Sequence, residues 1–172
     1  MLNYFDALEM DLCLRINALS KHLPIRQFFR SISRLGDYPA YLIVGVACAA
    51  MLEDRGPAFI AQSLATAAAG VLLYRLLKTT LVRERPYIAH HDIYCAAKPL
   101  DRYSFPSGHT MHAVSFAILF TTAVPIMAWI MLPFAALVAA SRVILGLHYP
   151  TDVLVGGLLG AALATVSLSI GA

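Results

Sequence analysis

The run Ser141-Arg142-Val143-Ile144-Leu145-Gly146-Leu147-His148-Tyr149-Pro150-Thr151-Asp152 sets an Arg, a His and an Asp inside one of the most apolar parts of the chain. Each is costly there unless it has a partner or a task. The run also carries its own break, since Gly146 can end one helix and Pro150 can begin the next. It therefore reads as helix, turn, helix, with His148 on the turn and Asp152 close enough to reach its Nδ1–H. Without the break, Arg142 and His148 would point about 120° apart on one helix.

The apolar helices on either side of that turn belong to a larger pattern. Of 172 residues, 59% are hydrophobic and 13% charged, against roughly 45–50% and 25% in soluble proteins. The fold class is an all-α integral membrane bundle with about five transmembrane helices. The spans are expected at about Leu35–Leu52, Pro57–Thr80, from just after Pro106-Ser107-Gly108-His109 to near Val124-Pro125, Ile126–Gly146 and Thr151–Ile170. The first has a clean apolar core only from Pro39 to Leu52, short of the ~20 residues a crossing needs. Gly156, Gly157 and Gly160 give the last a face for close helix packing.

Residues 1–35 alternate apolar and charged positions. Leu8, Leu12, Ile16 and Leu19 recur at helical spacing among Arg15, Lys21, Arg26, Arg30 and Arg34. This predicts an amphipathic helical segment in the membrane interface or packed on the bundle. The expected organisation is one domain, 1–172, made of that segment and a transmembrane bundle over 36–172. Asp6, Glu9 and Asp11 stand where a basic leader region would be, so no cleaved signal peptide is expected. Cys13, Cys48 and Cys95 are odd in number and far apart, which argues against a disulfide framework or a zinc site.

The net charge of +3 is less informative than its placement. Most basic residues lie before Leu35 or between Arg75 and Arg142, close to the opening run, and an anionic phosphate suits them better than nucleic acid. Five spans would bring Lys78–Arg85, Ser107–His109 and Arg142–Asp152 to one membrane face. Lys78 and Arg85 lie two helical turns apart, so on a helix continuing to Pro86 they could clamp a dianion together. Ser107 can cap a helix whose first amides, with Gly108 among them, bind anions. His148 held by Asp152 would have its other ring nitrogen free as base or nucleophile.

Each feature has a plainer reading. Basic residues at a helix end can snorkel to the interface, the reading that suits Arg83, and a His–Asp bond can simply tie two helices. His112, one turn beyond His109, could line the pocket but reads first as a hydrogen-bonded packing residue. His90 and His91 read as solvated members of the polar loop Tyr87–Phe105, with a metal-binding pair as the lesser alternative.

Taken together, Lys78-x6-Arg85-Pro86, Pro106-Ser107-Gly108-His109 and Ser141-Arg142-x5-His148-x3-Asp152 resemble the three-part signature of the type 2 phosphatidic acid phosphatase (PAP2) superfamily, with every position filled in order. The resemblance implies a membrane lipid phosphatase. His148 would be the nucleophile that forms a phosphohistidine, Asp152 its orienting acid, and His109 the general acid for the leaving oxygen. Lys78, Arg85, Ser107, Gly108 and Arg142 would hold the phosphoryl oxygens, with no metal and no cofactor.

Soluble relatives of the same superfamily are set aside by the apolar spans. The implied partners are the bilayer and a lipid phosphate: phosphatidylglycerol phosphate, phosphatidic acid, undecaprenyl pyrophosphate or a lipid A phosphate. A lipid phosphotransferase using the same phosphohistidine, and a non-catalytic lipid-phosphate binding or transport protein, are the alternatives. The expected location is a bacterial inner membrane. Bacterial relatives commonly have this site on the periplasmic face, whereas the positive-inside rule puts it in the cytoplasm, because of 13 Lys and Arg only Arg55 lies on the opposite side.

Overall fold

The structure, a computed structural model, describes residues 2–99 and 101–171, with side chains from Ala7 onward. It is 80% helical, with no strand among the described residues. In chain order the helices are α1 (Leu2–Asn17), α2 (Leu23–Leu35), α3 (Pro39–Met51), α4 (Gly56–Leu81), the single turn α5 (Pro86–Ala89), α6 (Gly108–Ala123), α7 (Ala128–Ile144) and α8 (Pro150–Gly171).

Three stretches, Glu53–Leu81, Pro125–Ile144 and Pro150–Gly171, are long and apolar enough to cross a bilayer. The other two predicted spans are shorter helices, α3 with 13 residues and α6 with 16. At 1.5 Å per residue these reach about 20 and 24 Å, against ~30 Å of hydrocarbon. Helix α6 can be short because it occupies the middle of the bundle. Met111, Ala113, Phe116, Ala117, Leu119 and Phe120 are all buried on it, the pattern of a helix surrounded by others.

Helix α8 lies directly on α6. A Cβ at Gly156 would stand 2.6 Å from the Ser107 carbonyl oxygen, so only glycine allows this approach, and Gly160 does the same against Met111. Gly157, expected on the same face, makes only ordinary contacts with Val114 and Thr110. The hydroxyl of Ser115 lies 2.9 Å from both the Met111 and Gly160 carbonyl oxygens. This packing sets the start of α6 beside the start of α8, where the Ser107 amide donates to the Asp152 carbonyl at 3.1 Å.

The N-terminal segment is two helices, not one. Helix α1 runs into a 3-10 turn at Ala18–Lys21, His22 is extended, and α2 restarts with Pro24 in its first turn. A proline lacks the amide that a helix interior needs, so it serves as a start and would break a longer helix. Asn17 holds the corner. Its amide nitrogen donates to the Tyr94 and Ile144 carbonyls at 3.0 Å, and its oxygen accepts from the Tyr94 amide at 2.8 Å. Helix α2 packs on α7, and α1 on α7 and α8.

Candidate active site

His148 is presented by the turn that closes α7. Gly146 takes the left-handed conformation at φ 74°, and the amides of Leu147 and His148 fold back onto the Arg142 carbonyl at 3.0 and 3.1 Å. A side chain at Gly146 would be strained in φ and would meet the Tyr94 carbonyl at 2.6 Å. Arg85 Nη1 lies 3.2 Å from His148 Nε2. Arginine can only donate, so Nε2 is the acceptor and the ring proton sits on Nδ1. Burial first, and then the positive charges of Arg142, Arg85 and Lys78, push the imidazole well below its ordinary value. His148 is therefore neutral at pH 7, with its Nε2 lone pair directed at the cations.

Asp152 Oδ2 lies 3.5 Å from His148 Nδ1, a separation longer than a normal hydrogen bond. Its carboxylate is engaged elsewhere as well. Oδ2 accepts from the Tyr149 amide at 2.9 Å, the backward half of a capping box, and Oδ1 accepts from Arg83 at 2.8 Å. Arg83 is no snorkelling surface residue. Its other arm reaches Glu9 Oε2 at 2.6 Å, and its guanidinium lies 3.9 Å over the Tyr149 ring. Glu9 also accepts from the Thr151 amide at 2.9 Å and from the Thr151 hydroxyl, placing a carboxylate at the positive end of α8. The chain Glu9–Arg83–Asp152 thus ties α1 to the His148 turn.

Lys78 and Arg85 do not share one helix, as their spacing had predicted. Helix α4 ends at Leu81, and Arg85 sits on an extended segment at φ −75°, ψ 150°. That segment is clipped to the loop before α6 by an isolated bridge between Glu84 and Tyr103 and by the Ser104 amide on the Arg83 carbonyl at 2.8 Å. The two cations meet through an acid the sequence did not announce. Lys78 Nζ lies 2.7 and 2.8 Å from the two Asp101 oxygens, and Arg85 Nη2 lies 2.7 Å from Asp101 Oδ1. Arg85 also donates to the Asp101 and Leu147 carbonyls at 2.9 and 2.7 Å. Burial pushes the Asp101 carboxyl up, but the Lys78 hydrogen bonds and charge, with Arg85, outweigh it and hold the group below the usual carboxylate range.

At the start of α6, Ser107 is the N-cap. Its fully buried hydroxyl lies 2.9 Å from the Thr110 hydroxyl and 3.4 Å from the Thr110 amide, so it faces its own helix and does not line the pocket. The amides of Gly108 and His109 have no carbonyl within the helix to bond. His109 Nε2 pairs with Asp37, on the three-residue link between α2 and α3. Burial raises the Asp37 carboxyl, but the hydrogen bond and charge of His109, with Arg142 behind it, hold it below the ordinary range. Arg142 is almost completely buried. Its Nη1 donates to Ser33, and its Nε has no partner among the described residues. The ring of His112 lies between the carbonyls of Gly108, at 2.9 Å, and Ala67, at 3.3 Å.

Lys78, Arg85, Gly108, His109, Arg142 and His148 line one pocket, together with Asp37 and Asp101. Asp152 stands behind His148, and Ser107 behind Gly108. His90 and His91 are exposed. The functional neighbours that sequence reading missed, Glu9, Asp37 and Asp101, are all carboxylates from outside the motifs. His112 lines the pocket too, and three cations against two carboxylates, with three histidines, make it a receptor for a compact oxyanion.

A helical membrane protein with a cationic, histidine-bearing pocket at one end of its bundle is the class these features define. The chain belongs to the PAP2 superfamily, whose model matches residues 59–171. It is 35% identical over 132 residues to the decaprenylphosphoryl-5-phosphoribose phosphatase of Mycolicibacterium smegmatis, covering 74% of this chain and 68% of that one. It is 34% identical over 102 residues to the undecaprenyl-diphosphatase of Sulfolobus acidocaldarius, covering 58% of this chain and about half, 49%, of that one. The crystal structure of Aquifex aeolicus LpxE superposes with a TM-score of 0.78 at 28% identity, covering 94% of this chain and 95% of that one.

Proposed function

We propose that the protein is a lipid phosphatase of a bacterial cytoplasmic membrane. It would release phosphate from a lipid phosphomonoester or diphosphate through a phosphohistidine on His148. The observation that carries this is the contact of Arg85 with His148 Nε2 inside a pocket that also holds Lys78, Arg142 and His109. It couples a neutral imidazole nucleophile to the cations that would hold its electrophile. The curated relatives, named as phosphatases of polyprenyl-linked phosphates, support the substrate class.

In the first step a phosphoryl group displaces Asp101 from Lys78 and Arg85, and the first amides of α6 take another of its oxygens. His148 Nε2 forms a bond to phosphorus while the bond to the leaving oxygen breaks, and His109 gives that oxygen its proton. Asp152 stabilises the Nδ1–H of the imidazole as its ring gains positive charge. In the second step His109 takes a proton from water, the water oxygen bonds to phosphorus, and the phosphorus–nitrogen bond breaks. Charge stabilisation comes from Lys78, Arg85 and Arg142, and no metal is called on.

The test is phosphate release from purified lipid phosphates in detergent with a chelator present, run beside His148→Ala. Vanadate-sensitive release that vanishes in the variant is the expected result. Activity retained by His148→Ala would remove the proposed mechanism.

A further inference from the structure

A second cavity, of about 690 Å³, opens beside the pocket and shares Asp37, His109 and Arg142 with it. Its remaining charged lining is Arg30 and Arg34 of α2 and Lys98 of the loop before α6. None of these three belongs to the motifs, and none has a carboxylate partner among the described residues. Beside the inner pocket, by contrast, Lys78 and Arg85 are neutralised by Asp101, and Arg83 by Glu9 and Asp152. The vestibule therefore holds four cations against one carboxylate, and that carboxylate, Asp37, is already committed to His109. Arg142, 3% exposed, forms the wall between the cavities, and its Nε is buried without a partner among the described residues.

We infer that this vestibule is a second anion subsite, and that it holds a second phosphate on the substrate next to the one transferred. The inference rests on the proposed phosphatase reading and sharpens its substrate class to a lipid diphosphate. The position of His109 supports the assignment. A general acid stands beside the oxygen that leaves, and His109 lies on the boundary between the cavities, so the leaving group departs on the vestibule side. When a diphosphate is cut, that group is itself a phosphate. One P–O bond of the bridge breaks, the terminal phosphoryl group goes to His148, and His109 protonates the oxygen of the lipid monophosphate that remains. Arg142, Arg34 and Lys98 would then face the charge of this leaving phosphate, which a lipid monophosphate substrate does not present.

Arg34 and Lys98 are exposed and their side chains make no hydrogen bond among the described residues, so Arg34→Gln/Lys98→Gln should leave the fold and the inner pocket intact. The experiment compares farnesyl diphosphate with farnesyl monophosphate in detergent, using the wild type, this double variant and His148→Ala. A tenfold or greater fall in kcat/KM for the diphosphate, with the monophosphate unchanged within about twofold, is the expected outcome. The Ki of inorganic pyrophosphate should rise in parallel, while that of orthophosphate stays put. Equal losses on both substrates, or none on the diphosphate, would overturn the subsite and leave the phosphatase standing. A loss that appears on both substrates only in vesicles containing anionic lipid would assign the cations to membrane headgroups instead. If the wild type releases phosphate from neither compound, the phosphatase reading itself fails, and the subsite with it.

Discussion

The two histidines with proposed roles in catalysis, His148 and His109, obtain their acids in opposite ways. His148 is buried on a turn, and Asp152 stands four residues further along the same chain segment, fixed by the capping of α8. His109 begins α6 near the pocket mouth, and its acid, Asp37, comes from 72 residues away on the link between α2 and α3. The first pair is written into one local motif. The second exists only because α2 and α3 fold against α6 and α7, so the proposed mechanism draws an N-terminal segment without a motif into the chemistry.

If His148 is the nucleophile, His148→Ala should cause the largest loss. A fall of about a thousandfold or more in kcat is expected, together with loss of a base-stable, acid-labile phosphoenzyme after labelled substrate and rapid quench. A label that survives in the variant would break the comparison at its stronger end.

Asp37→Asn should come next, with kcat reduced roughly 10- to 100-fold on an alkyl phosphate. The ionised Asp37 favours the protonated imidazole, so its removal should also move the alkaline limb of the pH–rate profile to lower pH. A nitrophenyl phosphate, whose leaving oxygen needs little protonation, should lose far less. Equal losses on both esters, with an unmoved alkaline limb, would make Asp37 a packing residue and erase the parallel between the two pairs.

The same contrast explains what the sequence could disclose. Histidines and cations sit at fixed short spacings that local geometry requires: Gly146 must turn, Asp152 must cap, and Ser107 must begin α6. Their carboxylate partners sit at spacings set by tertiary packing, and no periodicity marks Glu9, Asp37 or Asp101 among other surface acids. Arg83 was legible only as a basic residue at a helix end, because its partners lie 69 and 74 residues away. The break between α1 and α2 did leave a trace, in Pro24. The end of α4 at Leu81 left almost none, since the bridge that draws residues 83–85 into extended backbone is made by Tyr103 and Ser104.

Glu9→Gln tests how far the N-terminal segment supports the locally written pair. It weakens the charged link to Arg83 and the bonds to Thr151, so a loss of about 1–2 kcal/mol of stability is expected, read as a lower midpoint of thermal unfolding in detergent. A fall in kcat of a few-fold should accompany it, because Arg83 is then held less firmly against Asp152. Full activity with the same thermal loss would confine α1 to a structural role and sharpen the distinction between the two histidines.

Asp101→Asn should have the smallest effect on turnover and the opposite sign on binding. In the free protein the Asp101 carboxylate occupies Lys78 and Arg85, the groups proposed to receive phosphoryl oxygens, so substrate must displace it. The amide binds the two cations less strongly, and the Ki of orthophosphate and the KM should both fall several-fold, with kcat little changed. Thermal stability in the absence of phosphate should fall, since two buried cations lose their counter-charge. The pH dependence has a definite sign. A carboxyl held below its ordinary value stabilises the folded state above its unfolded pKa of about 4 and stops doing so as pH falls through the lower folded value. The wild-type advantage over Asp101→Asn should therefore be constant at neutral pH and vanish only in acid below pH ~4. A weaker phosphate affinity in the variant would instead make Asp101 a fixed strut that aims Lys78 and Arg85, and the free pocket would then be preorganised, with no carboxylate to displace.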